Sequence, residues 1–367
     1  MRGEGERQRT MLTVVQPDHR IRPDHPIRRI KALADGELRR LSAVFDAMYA
    51  AGGRPSIPPE RLLKACLLIA LYSVRSERQF CEQLDYNLLF RWFLDMNLEE
   101  GSFDASTFAK NKDRLLAADV ARRFFEGVVR QARRAHLLST EHFTVDGTLI
   151  EAYASLKSVR PRDERPGDRP PPDDPGNASV NFRGERRSNA THVSTTDPEA
   201  QLARKGFGKE TKLCFSAHVL MENRHGLCVD VSVAEANPAT ERTEALRLLR
   251  RLRRRRFRPR TVGGDRAYDA KAFVGGVRAL GITPHVAQYA AGHHRGSQID
   301  ARTTRHGGYG ASQRVRKRVE EIFGWMKTVG GLRKSRYRGS RRTGLWAYFV
   351  ATAYNLLRLA KLSPAPA

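Results

Sequence analysis

The sequence predicts an α/β protein, with a mixed sheet flanked by helices, preceded by an all-helical amino-terminal domain. Three observations predict it. Apolar residues recur at helical spacing through residues 29–138. From residue 139 the pattern switches to strand-like runs separated by helical ones. The chain has 367 residues, enough for two or three domains with a buried core, and no apolar run reaches the roughly 18–20 residues that cross a bilayer.

Residues 1–28 are polar and proline-punctuated, which predicts a loose arm. The segment 37–50 then puts Leu38, Leu41, Phe45 and Met48 on one helical stripe. Pro58-Pro59 opens a second helix, RLLKACLLIALYSV, apolar enough to be the local core. SERQFCEQL, NLLFRWFLDM and the long run TFAKNKDRLLAADVARRFFEGVVRQARRAH complete the helical domain.

HFTVDGTLIEAYAS has the β-branched and aromatic alternation of a strand. Residues 156–208 turn polar around PGDRPPPDDPGN and read as a long exposed insertion. KLCFSAHVLMEN and GLCVDVSVAEA, joined by a short turn, predict an antiparallel hairpin. A helix over TERTEALRLLRRLRRRR leads to the strand RPRTVGGD, then the helix AKAFVGGVRAL and the strand ITPHVA. A basic, glycine-rich loop of about 20 residues, a helix over SQRVRKRVEEIFGWMK and a last helix over GLWAYFVATAYNLLRLAKL end the chain. This order of strand, hairpin, helix, strand, helix, strand, helix matches a mixed sheet with helices on its faces, as in ribonuclease H-like folds.

Sixty-six Lys and Arg against 40 Asp and Glu give a formal charge of +26. An arginine-rich composition from a GC-rich genome can inflate such a number, but an excess this large attracts polyanions whatever produced it. Nucleic acid is the expected partner, and no basic amphipathic helix stands out for a membrane surface. The charged amino terminus lacks the apolar core of a secretory signal, so a cytoplasmic, nucleoid-associated protein is expected. Cys66, Cys81, Cys214 and Cys228 form no CxxC pair and read as reduced core residues. Histidines in the loop 289–318 come without cysteines, which argues against zinc.

Three acids are candidates for phosphodiester chemistry, which needs hard oxygen ligands for divalent ions. Asp146 lies in an apolar strand, sharing a face with Thr144 and Thr148, where a charge costs several kcal/mol unless paired or bound to metal. Asp-Gly is equally a common turn pair. Asp265 follows Gly-Gly where a short strand ends, a place where open α/β sheets collect ligands and also an ordinary turn. Glu320 shares a helical stripe with Arg316, Phe323 and Lys327, next to a buried stripe of Val315, Val319, Ile322 and Met326. Its alternative is an i,i+4 surface salt bridge to Arg316. Nine arginines between Arg247 and Arg260, with Arg250, Arg251 and Arg254 among them, and Arg318 in the later loop, suit phosphate contact; a solvated helix face is the alternative.

These residues resemble the DDE transposases of bacterial insertion sequences. TVDGTLIEAYAS resembles the family's first-aspartate strand, GGDRAYD is similar to its second-aspartate block, and Arg316-(3)-Glu320-(6)-Lys327 looks like its Tyr-(2)-Arg-(3)-Glu-(6)-Lys signature. Gln313 stands where that signature has Tyr. The resemblance extends to PSIPPERLLKACLLIALYSVRSERQFCEQL and to VGGLRKSRYRG, covering roughly residues 45–360. It implies a ribonuclease H-like core over residues 139–362, with the helices 29–138 binding DNA ends. It also implies two Mg2+ ions, replaceable by Mn2+, held by Asp146, Asp265 and Glu320, with Arg316 and Lys327 on DNA phosphates. Partners would be the terminal inverted repeats and target DNA, in a homodimer or larger assembly. A transposase-derived DNA-binding protein without activity is the alternative. Asp146 and Asp265 lie 119 positions apart and Asp265 and Glu320 lie 55 apart; the excess in the first interval matches the insertion 156–208.

Overall fold

The computed structural model describes residues 16–49, 52, 56–163, 187–206, 208–289 and 296–362. Residues 1–15 of the expected arm, the centre of the expected insertion and His293, His294 and Arg295 lie outside the described residues.

Among the described residues eight helices precede the sheet: α1 (Pro17–Arg20), α2 (Pro26–Arg40), α3 (Ser42–Asp46), α4 (Pro59–Leu71), α5 (Glu77–Tyr86), α6 (Leu88–Phe93), α7 (Ala105–Ala117) and α8 (Val120–Arg134). The helix expected over 37–50 instead starts at Pro26, whose fixed φ suits a first helical position, and breaks at Leu41. Ile21 and Ile27, inside the expected arm, are buried. The long helix expected over 107–136 divides at Asp119, which takes a left-handed φ of 55° and starts α8.

The sheet follows. Its strands are β1 (His142–Glu151), β4 (Gln201–Ala203), β5 (Lys212–Glu222), β6 (Cys228–Glu235), β7 (Thr261–Gly264) and β8 (Thr283–Val286). Between β1 and β4, β2 (Val159–Pro161) and β3 (His192–Ser194) form a separate two-stranded ladder within the expected insertion, whose later part β4 ties to the main sheet. The order is β6-β5-β1-β7-β8, with β1 antiparallel to β5, β5 antiparallel to β6, and β7 and β8 parallel to β1. Three antiparallel strands continued by two parallel ones, with β1 central, is the ribonuclease H-like arrangement, as expected.

The remaining helices are α9 (Pro238–Arg254), α10 (Lys271–Ala279), α11 (Ala301–Thr304), α12 (Gly307–Val315), α13 (Val319–Thr328) and α14 (Ser340–Leu362). Asp230 of β6 bonds to Arg251 of α9, whereas Val233 lies against Gly344 of α14. Successive strand residues alternate in direction, so α9 and α14 cover opposite faces. Helix α14 is buried on nearly every side, as an apolar 23-residue helix must be. It packs against β6 and also against α2, α4 and α8, so sheet and amino-terminal helices share one core.

Two helices, α11 and α12, occupy what the sequence predicts as a glycine-rich loop. Tertiary contacts hold them: the Tyr309 hydroxyl donates to the Val286 carbonyl (3.0 Å), and Ser312 Oγ meets His285 Nδ1 at 2.7 Å. A 3-10 turn over Arg316–Arg318 separates α12 from α13. All four cysteines are free and buried.

Candidate active site

Strand β1 extends past the end of β7, because their pairing runs from His142 and Thr261 only as far as Thr144 and Gly263. Beyond that point Asp146 projects where the chain of β7 turns away at Asp265. Burial pushes the Asp146 carboxyl up to about 7, and the nearby charges of Asp265 and Glu241 add to the rise. The Gly147 N–H, donating to Asp146 Oδ1 at 2.7 Å, and the Arg316 guanidinium pull the other way. Asp146 and Asp265, distant in sequence, therefore share one electrostatic pocket.

Asp265 caps a short 3-10 turn by accepting the Ala267 N–H at 2.8 Å. The glycine before it has a packing reason: a Cβ on Gly264 would stand 3.2 Å from the Tyr268 ring. Tyr268 is fully buried beneath the pocket, and burial together with Glu241, Asp146 and Asp265 drives its phenol well above its ordinary value. Asp269, the other acid of this block, is structural: its carboxylate accepts the N–H groups of Gln298 (2.8 Å) and Tyr289 (3.1 Å).

Glu241 was not among the acids singled out from sequence. It stands in the first turn of α9, and burial, then Asp265, raises its pKa. Its only sequence signal is an acid just inside a helix start, which is commonplace. Gly147 is what admits it, having no side chain on that face. The register partner of Gly147 is His218, fully buried with neither ring nitrogen hydrogen-bonded; burial pushes its pKa down to about 4.

The helical signature is split. Arg316 lies in the 3-10 turn; its Nε donates to Gln313 Oε1 at 3.0 Å, while Gln313 Nε2 donates to the His285 carbonyl at 2.6 Å. The residue that departs from the family signature thus holds Arg316 beside Asp146. Lys327 Nζ donates to Thr148 Oγ1 at 2.6 Å, on the same face of β1 as Asp146. Its pKa is lowered by burial and then by Lys205 and Arg333. Val319, Ile322 and Met326 are buried as expected, Val315 only partly. Glu320 is exposed between Arg316 and Lys327, with no salt bridge to Arg316 among the described residues. Glu321, on another face, pairs with Arg358 at 3.6 Å.

The outlying basic residues divide. Arg251 turns inward: Nε and Nη2 form 3.0 and 2.8 Å bonds to buried Asp230. Arg253 and Arg255 donate to the carbonyls of Leu280 and Val229. Arg250 and Arg254 are exposed, and Arg254 lies about 20 Å along α9 from Glu241 at 1.5 Å per residue. Arg318 is exposed and donates to the Arg224 carbonyl (3.2 Å). Of the tryptophans, Trp346 is buried, whereas Trp92 and Trp325 are half-buried, Trp325 edge-on to Tyr354.

Asp146 and Glu241, both held above the ordinary carboxylate range by burial and by the charge of Asp265, are hard oxygen donors whose repulsion a divalent cation would relieve. Their chemistry fits such an ion, although no group of three or more His, Cys, Asp or Glu among the described residues closes to metal-binding distance. No helix among the described residues is long and apolar enough to cross a membrane.

Residues 139–356 match the family described as "Transposase DDE domain", and residues 15–114 match the one described as "Transposase domain (DUF772)". No curated protein matches the chain. Among solved structures, the Mos1 transposase paired-end complex with left transposon end is 12% identical, with 85% of this chain and 80% of that chain covered and a TM-score of 0.21. The Mos1 mariner paired end complex with Mn is 14% identical over 89% of this chain and 84% of that one, again with a TM-score of 0.21. Likeness at that level is too weak to carry over a ligand or an assembly.

Proposed function

We propose, from the premise that this chain belongs to the transposase DDE-domain family, that it cuts DNA at the ends of a mobile element and joins those ends to target DNA. One observation carries the reading: the charges of Asp265 and Arg316 both act on half-buried Asp146, at the strand ends where the fold gathers its ligands. Glu320 completes the carboxylate set. Its place on the helix supports this, because the residues on either side of it in the signature, Arg316 and Lys327, reach β1 near Asp146 and at Thr148.

Asp146, Asp265 and Glu320 would hold two Mg2+ ions, or Mn2+ in their place. Such ions activate the attacking water or 3′ hydroxyl and neutralise the departing oxygen. Arg316, fixed by Gln313, presents its guanidinium to a phosphate beside Asp146. Lys327, anchored on Thr148, supplies a second cation to the same strand. Arg250, Arg254 and Arg318 are free to meet DNA phosphates farther out, whereas Arg251 serves the fold. The helices of residues 29–138 would bind the terminal inverted repeats, with residues 139–362 as the catalytic domain, in a dimer or larger assembly that pairs both ends.

The test uses labelled element-end DNA with Mg2+ and compares the wild type with Asp146→Asn, Asp265→Asn and Glu320→Gln. Cleavage and joining lost in each variant, with DNA binding kept, is the expected result. Binding by the wild type without any cleavage would leave a transposase-derived DNA-binding protein instead.

A further inference from the structure

The chain beyond the Arg–Glu–Lys signature has no part in the pocket described above, yet it is fastened to the same strand. After α13 the chain turns at Gly331 and runs beside the far end of β1. Glu151 N donates to the Arg333 carbonyl (3.1 Å), and Ser335 N donates to the Glu151 carbonyl (2.7 Å). Residues 333–338 therefore lead from Lys327 into a groove of about 900 Å3 between this segment and the helices α5 and α7.

Six cationic side chains line that groove, Arg75, Arg78, Lys112, Arg336, Arg338 and Arg342, against two acids, Glu77 and Asp113. Both acids are spent: Lys112 pairs with Glu77, and Arg342 with Asp113 at 3.1 Å. Arg336 donates to the Val74 carbonyl at 2.9 Å. Arg75, Arg78 and Arg338 are exposed and form no salt bridge among the described residues. Tyr153, two residues past β1, is 50% exposed on the groove wall with the Arg338 guanidinium 5.7 Å from its ring centroid. The carboxylate of Asp197, which accepts the Gly339 N–H at 3.1 Å, feels the Arg338 charge but forms no salt bridge with it. An exposed aromatic face among arginines outside any salt bridge is the arrangement that takes a single nucleic-acid strand, phosphates on the cations and a base on the ring.

We infer that this groove binds unpaired nucleotides of the DNA strand leading away from the carboxylate pocket, with phosphates on Arg75, Arg78 and Arg338 and one base stacked on Tyr153. Its volume suits roughly two or three nucleotides, within the range of ordinary ligand pockets, and is too small for a turn of duplex. Lys327 and Arg333, whose charges already act on one another, bridge the interval between pocket and groove. The identity of the strand rests on the transposase reading; the groove's affinity for it does not.

The experiment measures binding of a labelled short oligothymidylate to the full chain by fluorescence anisotropy in buffer free of divalent metal. An equally long duplex serves as comparison. The combined variant Arg75→Ala, Arg78→Ala, Arg338→Ala should bind the single strand at least tenfold more weakly. It should also flatten the log-affinity against log-salt slope by about 2, since each phosphate contact on a single strand contributes about 0.7. Tyr153→Ala should weaken binding roughly five- to hundredfold, the loss of one stacked base, and Tyr153→Phe, which keeps the ring, should bind as the wild type does. Unfolding midpoints equal to wild type establish that these exposed substitutions leave the fold intact. Asp146→Asn should keep single-strand binding even if it cuts nothing, so failure of catalysis and failure of the groove are separate results. Wild-type affinity in both the triple variant and Tyr153→Ala would overturn the proposal. So would equal losses in Tyr153→Phe and Tyr153→Ala, or loss of binding in Asp146→Asn.

Discussion

Glu241 Oε1 lies 2.8 Å from where a Cβ on Gly147 would stand, so the absence of a side chain at Gly147 is what lets the first acid of α9 come up to β1, close enough for its charge to act on Asp146. The colliding atom is the tip of a flexible side chain, which can swing away at small cost. Gly147→Ala should therefore shift stability by only about 1 kcal/mol or less while displacing Glu241 from the pocket. DNA cleavage should fall about tenfold or more, and Glu241→Gln should fall alike. Full activity in both variants would remove Glu241 from the site.

The pocket also sets a pH dependence of stability. Asp146, pushed up to about 7 from an ordinary 3.8, is protonated in the folded protein and ionised in the unfolded chain between those values. That stabilisation is present at low pH and lost as pH rises through 7. His218, pushed down to about 4 from 6.5, acts oppositely, since the unfolded chain takes up a proton that the fold refuses as pH falls. The two effects oppose one another up to about pH 6.5, and above it only the Asp146 effect remains. In chelator, the unfolding midpoint should decline from pH 6.5 to 7.5 more steeply in wild type than in Asp146→Asn. Parallel profiles would contradict the raised pKa.

Gln313 holds Arg316 by a 3.0 Å bond to Nε, a donor in the guanidinium plane that a lysine does not have. Arg316→Lys should lower the cleavage rate about tenfold with little change in DNA affinity, and Gln313→Ala should lower it in the same sense. Single-turnover cleavage beside an anisotropy titration separates the two quantities.

Adjacent arginines of α9 should behave differently. Arg251→Ala strands Asp230, 3% exposed, and should destabilise the protein by about 3 kcal/mol, as when one partner of a buried pair is removed. Arg250→Ala, on the exposed face, should change stability by less than about 0.5 kcal/mol and weaken DNA binding modestly. Denaturant unfolding of the two variants checks the contrast.

Much of this is legible in the sequence. Alternation marked β1, and a short turn between two strand-like runs marked the hairpin of β5 and β6, both of which pair as expected. The face assignment at Asp146 followed from the same rule, with Thr148 meeting Lys327 and Gly147 turned to His218. What escaped depends on tertiary contact. Helices α11 and α12 form in a glycine-rich stretch because β8 offers Tyr309 and Ser312 their partners. Arg251 looked like its neighbours until Asp230 was placed across from it. Glu241 had no distinguishing pattern, since the feature that makes it notable is a missing side chain on another strand.

The account stands most directly on metal binding by the carboxylates. Titration of Mn2+ into the full chain, with free ion followed by electron paramagnetic resonance, reads this without requiring turnover. The wild type should bind Mn2+, and Asp146→Asn, Asp265→Asn and Glu320→Gln should each lose at least tenfold in affinity while remaining folded. Undiminished Mn2+ binding in any one of the three would show that its carboxylate is not a ligand and would contradict the shared site.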